Sequence, residues 1–300
     1  MLKIAWSPLF KHPLPENHRF PMEKYELIPE QLLYEGTIEE ENLYRPEAMK
    51  EELILLTHTE EYWGKLCRGE LSPKEIRKTG FPYSLQLLER GRVIAQGTLD
   101  NVGYAEEYGV AINGAGGTHH AYTDHGEGFC ILNDIAIAST CVLNENRYRK
   151  ILIIDLDVHQ GNGTAEIFRE ESRVFTFSMH CEANYPLKKE ISDLDISLAA
   201  YSGDETYLGI LKETLANLLE EEKPELVFYL AGVDVLGSDK LGKLNMTKAG
   251  CKERDRFVMQ SCHEKGLPLV ISLGGGYSPD IRDIVDAHCN TFRLAKDIWF

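Results

Sequence analysis

The sequence predicts an α/β protein, one mostly parallel β-sheet flanked by helices on both faces. Three observations carry that expectation. Strand-length runs such as 151–154, 226–231 and 267–273 are apolar at successive rather than alternate positions, as in strands covered on both sides. They alternate with stretches whose apolar residues recur at helical spacing, the pattern of βαβ units. Several of these strands also run into glycine-rich turns that carry polar residues, where open α/β sheets place their ligands.

Residues 3–6 are a short apolar strand candidate, closed by Ser7-Pro8. Residues 11–24 are rich in proline, histidine and charge and read as a loop. Within it, His18-Arg19-Phe20-Pro21 either lines a pocket or holds a structural, salt-bridged arginine. Residues 22–36 and 60–68 read as helices, and 85–107 as one or two more. A buried strand over 108–113 precedes Gly114-Ala-Gly-Gly-Thr-His119-His120, and an apolar helix is expected over 133–147. Strands at 151–154 and 173–180 follow. Ser202-Gly-Asp-Glu205 has the spacing of a capping box, and Leu208, Leu211, Leu215 and Leu218 behind it mark an amphipathic helix that Pro224 terminates. A strand over 226–231, a helix over 247–265, a strand over 267–273 and a final helix complete the chain. No internal repeat, low-complexity linker or break in composition divides the 300 residues, so one domain is expected over 1–300.

The formal net charge of −16 argues against direct nucleic-acid binding, which needs a basic footprint. It leans towards cationic substrates, although acidic runs at 39–41 and 220–222 are also what a solvated surface looks like. No apolar run reaches the roughly 20 residues that cross a bilayer, and the N-terminus lacks a signal core. No membrane association is therefore expected, and the location expected is cytoplasmic. Seven scattered cysteines with no C-x-x-C pair speak against a disulfide framework or a cysteine zinc site. Oligomeric state has no signature.

The stretch Ile151-Leu-Ile-Ile-Asp155-Leu-Asp157-Val-His159-Gln-Gly-Asn162-Gly organises the rest. In an extended backbone residues i, i+2 and i+4 share a face, so Asp155, Asp157 and His159 converge. Two unpaired carboxylates at the end of a buried strand call for a counter-charge, and a metal ion supplies one. Three more strands end in polar residues: His119-His120, Asp234 and Tyr277. Singly, each has a plain structural explanation: a satisfied loop pair, a helix cap, a half-buried tyrosine. Together at strand ends they point to one site.

These residues carry a resemblance. Gly-Gly-Thr-His119-His120, Gly128-Phe129-Cys130-x-Leu-Asn133-Asp134, Asp155-x-Asp157-x-His159, Ala231-Gly-Val-Asp234 with Asp239-x-Leu-Gly, and Gly274-Gly-Gly-Tyr277 resemble, in order, the motifs of the zinc-dependent histone deacetylase family. Gln160, Asn162 and the His18-Arg19-Phe20-Pro21 segment are similar to the class IV branch and its bacterial relatives. The resemblance implies the arginase/deacetylase-like fold and an amide hydrolase that removes an acetyl or longer acyl group from an amine such as a lysine side chain. It implies Asp157, His159 and Asp234 as zinc ligands, with Fe²⁺ an alternative; three N/O ligands are what a catalytic rather than structural zinc takes from protein. It makes His120 the general base and acid, His119 its electrostatic partner, Asp155 and Asn162 the holders of the two imidazoles, and Tyr277 the oxyanion donor. Gly128, Phe129 and Gly275 would wall an acyl-lysine tunnel. Asp155, the backbone of Asp157, His159 and Met179, and the Ser178 hydroxyl match a potassium site.

The substrates implied are acylated lysine peptides or proteins, or small acylated amines such as acetylpolyamines. Asn162 stands where some family members carry aspartate, and a neutral amide supports an imidazolium less well. The 181–189 loop aligns poorly. Two competitors are distinguishable on residues. A binuclear manganese ureohydrolase needs carboxylates where this chain has Gly161 and Leu236. A non-catalytic binding or scaffold protein would be expected to lack a ligand or the tyrosine, and none is missing.

Overall fold

A computed structural model describes residues 1–300. Its strands are β1 (Lys3–Ala5), β2 (Leu43–Tyr44), β3 (Val110–Asn113), β4 (Ile151–Asp155), β5 (Val174–Cys181), β6 (Leu194–Leu198), β7 (Leu226–Leu230) and β8 (Leu269–Ser272). The helices are α1 (Lys24–Tyr34), α2 (Glu51–Ile54), α3 (Glu60–Arg68), α4 (Pro73–Thr79), α5 (Leu85–Tyr108), α6 (Asp134–Asn144), α7 (Asn162–Phe168), α8 (Asp204–Glu222), α9 (Lys248–Glu264) and α10 (Ile281–Trp299). All strands join one parallel sheet in the order β2-β1-β3-β8-β7-β4-β5-β6. No helix is long and apolar enough to cross a membrane.

Strand β4 shows why successive apolar residues are needed. Leu152 and Ile154 pack into the core beneath α8, α9 and α10, with Leu211, Leu215, Val258 and Phe292. Ile151 and Ile153 point the other way, into the layer of α5, α6 and α7, with Val102, Ala136 and Phe168. Each such side chain contributes roughly 1.5–3 kcal/mol by leaving water. The alternation outlasts the strand: Leu156 and Val158 still join the first core. The residues that alternate with them, Asp157 and His159, are free to serve the site.

Three local expectations change. Strands β2 and β6 were not foreseen; both lie at sheet edges, where short strands bury little. The capping box expected at Ser202 is absent, because Ser202 Oγ donates to Ala199 O (2.8 Å) and Gly203 occupies the N-cap. The start of α8 is tied down differently: Asp204 accepts hydrogen bonds from Thr247 N (2.9 Å) and Oγ1 (2.6 Å) at the N-cap of α9. A true capping box stands at Ser72–Glu75, where Ser72 N donates to Glu75 Oε2 (2.7 Å) and Glu75 N donates to Ser72 Oγ (3.3 Å), starting the unforeseen α4.

Candidate active site

The four central neighbours β3, β8, β7 and β4 deliver the polar groups that the sequence places at strand ends. The chain leaves β3 for His119 and His120, β4 for Asp157 and His159, β7 for Asp234, and β8 for the Gly274–Tyr277 turn. Asp155 is the last residue of β4, and all five residues of that strand are buried.

Asp157, His159 and Asp234 meet as a buried group whose donor atoms lie within 4.8 Å of one another. His159 Nδ1 is 3.0 Å from Asp157 Oδ1 and 3.2 Å from Asp234 Oδ2. Three of the four carboxylate oxygens have hydrogen-bond donors. Asp157 Oδ1 accepts from His159 N (3.0 Å), Asp157 Oδ2 from Gly275 N (2.8 Å), and Asp234 Oδ1 from Val158 N (3.0 Å). Asp234 Oδ2 is fully buried and has none. A buried, orphaned carboxylate oxygen beside a second carboxylate and an imidazole is a donor set for a divalent cation. Gly275 keeps this cradle open: a Cβ there would lie 2.0 Å from Asp234 Oδ2 and 2.7 Å from Asp157 Oδ2.

The two histidines lie side by side, ring centroids 4.0 Å apart, each with its own partner. His119 Nδ1 is 2.6 Å from Asp155 Oδ2, and His120 Nδ1 is 2.6 Å from Asn162 Oδ1. Burial pushes the His119 imidazole down, but Asp155 and then Asp157 outweigh it and its pKa is raised. His120 has no such carboxylate. Burial, His119 and His159 together hold it well below the ordinary histidine value, so it is neutral and free to accept a proton. For His159, burial is outweighed by the adjacent Asp157 and Asp234 carboxylates, and the pKa rises to about 10. Burial and the Asp157 charge push Asp234 up to about 7. Burial, then Asp234 and Asp157, push the Tyr277 phenol well above its usual range, so it stays protonated and can donate.

Gly128 and Phe129 stand against this group. Gly128 has φ +55°, and a Cβ on it would sit 2.4 Å from His120 Cδ2. Phe129 is left-handed as well, φ +68°, an arrangement that costs a non-glycine residue about 1–2 kcal/mol. The end of α4 holds it there: Phe129 N donates to Thr79 O (2.7 Å) and Gly128 N to Lys78 O (3.1 Å). The cavity bounded by His119, His120, Phe129, Asp157, Gly275 and Tyr277 measures about 30 Å³. A much larger groove, about 960 Å³, adjoins it, shares Phe20 and Tyr277, and is floored by residues 11–23. The His18–Pro21 segment therefore lines a pocket. Arg19 makes no ion pair; its guanidinium lies 4.9 Å from the centre of the Phe129 ring.

For the suggested potassium group, Asp155 and Ser178 are opposite one another in the β4–β5 register, with Met179 next along the strand. Ser178 Oγ is 3.0 Å from His180 Nδ1. Several supporting residues escaped sequence reasoning. Arg254, fully buried on α9, donates to Gly232 O (2.6 Å) and Leu156 O (3.2 Å), clamping the loops after β7 and β4. Buried Lys24 donates to Gly274 O (2.9 Å). Asp239, quoted in a motif without a role, accepts from Tyr277 N (2.6 Å) and so sets where the tyrosine starts. Glu127, buried beside Asn162, had no signal beyond its place before Gly128.

Fold and site together define a class: an α/β protein with a buried Asp-His-Asp group and a histidine pair at the carboxyl end of its sheet. The chain belongs to the histone deacetylase family, whose domain model matches residues 18–292. It is 32% identical over 287 residues to histone deacetylase 2 of Arabidopsis thaliana, covering 92% of this chain and 74% of that one. It is 44% identical to an uncharacterized protein of Picosynechococcus sp., covering 99% of each. The crystal structure of a histone deacetylase homologue from Aquifex aeolicus matches with a TM-score of 0.82 at 25% identity, covering 97% of this chain and 82% of that one.

Proposed function

We propose that this protein is a zinc-dependent amide hydrolase that releases an acetyl or longer acyl group from an amine of the lysine side-chain type. The observation that carries the reading is the orphaned Asp234 Oδ2, in a buried Asp-His-Asp group within reach of a neutral histidine. Asp157, His159 and Asp234 would hold the ion, zinc or ferrous iron by donor type. When bound, such an ion supplies Lewis-acid polarisation of the amide carbonyl and acidifies a water.

The remaining chemistry belongs to the chain. His120, with Nδ1 engaged by Asn162, takes the proton of the attacking water at Nε2 and later returns it to the leaving amine. His119, its pKa raised by the Asp155 carboxylate it pairs with, stands beside it as the electrostatic partner. Tyr277 donates its hydroxyl to the oxyanion that develops on the carbonyl. Gly128, Phe129 and Gly275 wall the tunnel for the acylated side chain. Asp155, Ser178 and the backbone of Asp157, His159 and Met179 form the potassium site. The likeness of Gln160, Asn162 and the His18–Pro21 segment to the class IV branch and its bacterial relatives supports assigning the chain to them.

The test is to incubate the purified chain with zinc, and separately with ferrous iron, against acyl-lysine peptides and acylpolyamines of increasing acyl length, measuring acid released. Release on one or more substrates is expected. No release above the metal-free control on any of them overturns the reading and favours a non-catalytic member of the family.

A further inference from the structure

We infer that Glu127 is a positioning residue that fixes which way round the Asn162 amide faces, and through it the tautomer of His120. The inference rests on the proposed role of His120 as base. An asparagine side chain offers an oxygen on one side and an NH₂ group on the other, and only the oxygen can accept from an imidazole Nδ1–H. In the structure Oδ1 faces His120 Nδ1 at 2.6 Å, while Nδ2 donates to Glu127 Oε1 at 2.6 Å and to the Tyr122 hydroxyl at 3.0 Å. A carboxylate only accepts. Were the amide turned over, Asn162 Oδ1 would face Glu127 Oε1 at the same short distance, two acceptors with no proton between them. Glu127 therefore excludes the turned-over amide, and Nε2 of His120 is left as the unprotonated nitrogen.

Glu127 is itself held. It is 4% exposed, and its other oxygen, Oε2, lies 2.6 Å from Lys78 Nζ and 3.8 Å from His125 Nε2. Burial pushes its carboxyl up, but His125, Lys78 and Tyr185 outweigh burial and hold the pKa at about 2. The chain of contacts thus runs from Lys78 on α4 through Glu127 and Asn162 to His120. The negative charge that an aspartate at position 162 would bring to the imidazole is displaced outward by one hydrogen bond.

This arrangement predicts a reversal of sign. In Glu127→Gln the residue at 127 can donate as well as accept, so both amide orientations of Asn162 become allowed. In Asn162→Asp both oxygens accept, orientation no longer matters, and Glu127 becomes a repelling neighbour. With the zinc-loaded 300-residue chain and an acyl-lysine peptide, E127Q is expected to lower kcat about tenfold or more with KM little changed. In the N162D background, E127Q is expected to raise activity. Two-bond ¹H–¹⁵N correlation spectra of histidine-labelled protein read the tautomer directly: Nδ1–H for His120 in the wild type, a mixture in E127Q. An unchanged tautomer in E127Q, or equal losses from E127Q in both backgrounds, overturns the inference and leaves Glu127 a structural residue. If the wild-type chain releases no acid, the proposed function fails, and the spectra alone decide the role of Glu127.

Discussion

At residue scale the steric demand that bears on the metal group falls on Gly275, whose missing side chain is the space between Asp157 and Asp234. Gly275→Ala is expected to lower zinc affinity by orders of magnitude, because a Cβ would occupy ligand space; zinc retained after dialysis, measured by a chelating dye, checks this. His120 and Tyr277 make the complementary case, since neither supplies a metal ligand. His120→Ala should abolish turnover with zinc still bound at wild-type stoichiometry. Loss of the metal in that variant would count against its role as base. Tyr277→Phe should lower kcat by roughly 10²–10³ with the fold intact, the usual cost of losing one oxyanion donor. Near-normal kcat would remove the tyrosine from the mechanism.

At the scale of elements the site is a meeting of loops, and what holds the loops matters as much as the strands. Arg254 on α9 joins the carbonyls of Leu156 and Gly232 and pairs with Asp255, with 2.7 Å between Arg254 Nη2 and Asp255 Oδ1. Asp255 in turn accepts from Tyr229 on β7 (2.6 Å) and Thr291 on α10 (2.7 Å). Removing one partner of a buried pair strands the other charge, so Arg254→Ala should cost about 3–5 kcal/mol in a denaturant titration. A loss under about 1 kcal/mol would mean that Asp255 is satisfied without it. The two S-x-x-E stretches carry a lesson at the same scale. Identical spacing caps α4 at Ser72 but not α8 at Ser202, because a neighbouring carbonyl captures the second serine and Asp204 anchors to Thr247 instead.

For the whole molecule, the first and last long elements are fastened together. Arg293 on α10 grips Glu35 at the end of α1 with two hydrogen bonds of 2.8 Å, and the Glu35 side chain is 23% exposed. Arg293, opposed by partial burial, holds the Glu35 carboxyl at about 2 against an ordinary value of 4.5. A carboxyl with its folded pKa depressed contributes stability that is complete above the unfolded value and fades as pH falls through the folded one. Glu35→Gln should therefore cost about 1 kcal/mol near neutrality, after allowance for solvent screening, and nothing below about pH 2. Denaturation of both proteins across pH 2 to 7 measures the converging curves; a pH-independent difference would rule out the ion pair as its source.

What the sequence determined by itself was the layered α/β architecture and the polar residues at four strand ends. Both follow from short-range rules: apolar residues in succession demand a covered strand, and polar residues at i, i+2 and i+4 share a face. Edge strands β2 and β6 bury too little to leave a comparable pattern. Spacing alone puts Asp155, Asp157 and His159 on one face, the family resemblance divides them, and only the tertiary structure supplies the contacts. Asp155 turns to His119, whereas Asp157 and His159 turn to Asp234, which follows β7, the strand beside β4 in the sheet. It also decided that Glu127, Arg254 and Lys24 belong to the site. Their partners lie on other strands and loops, as with Lys24 and Gly274, 250 positions apart. Hydrogen bonds over such separations are set by the packing of the sheet, and local spacing in the chain does not record them.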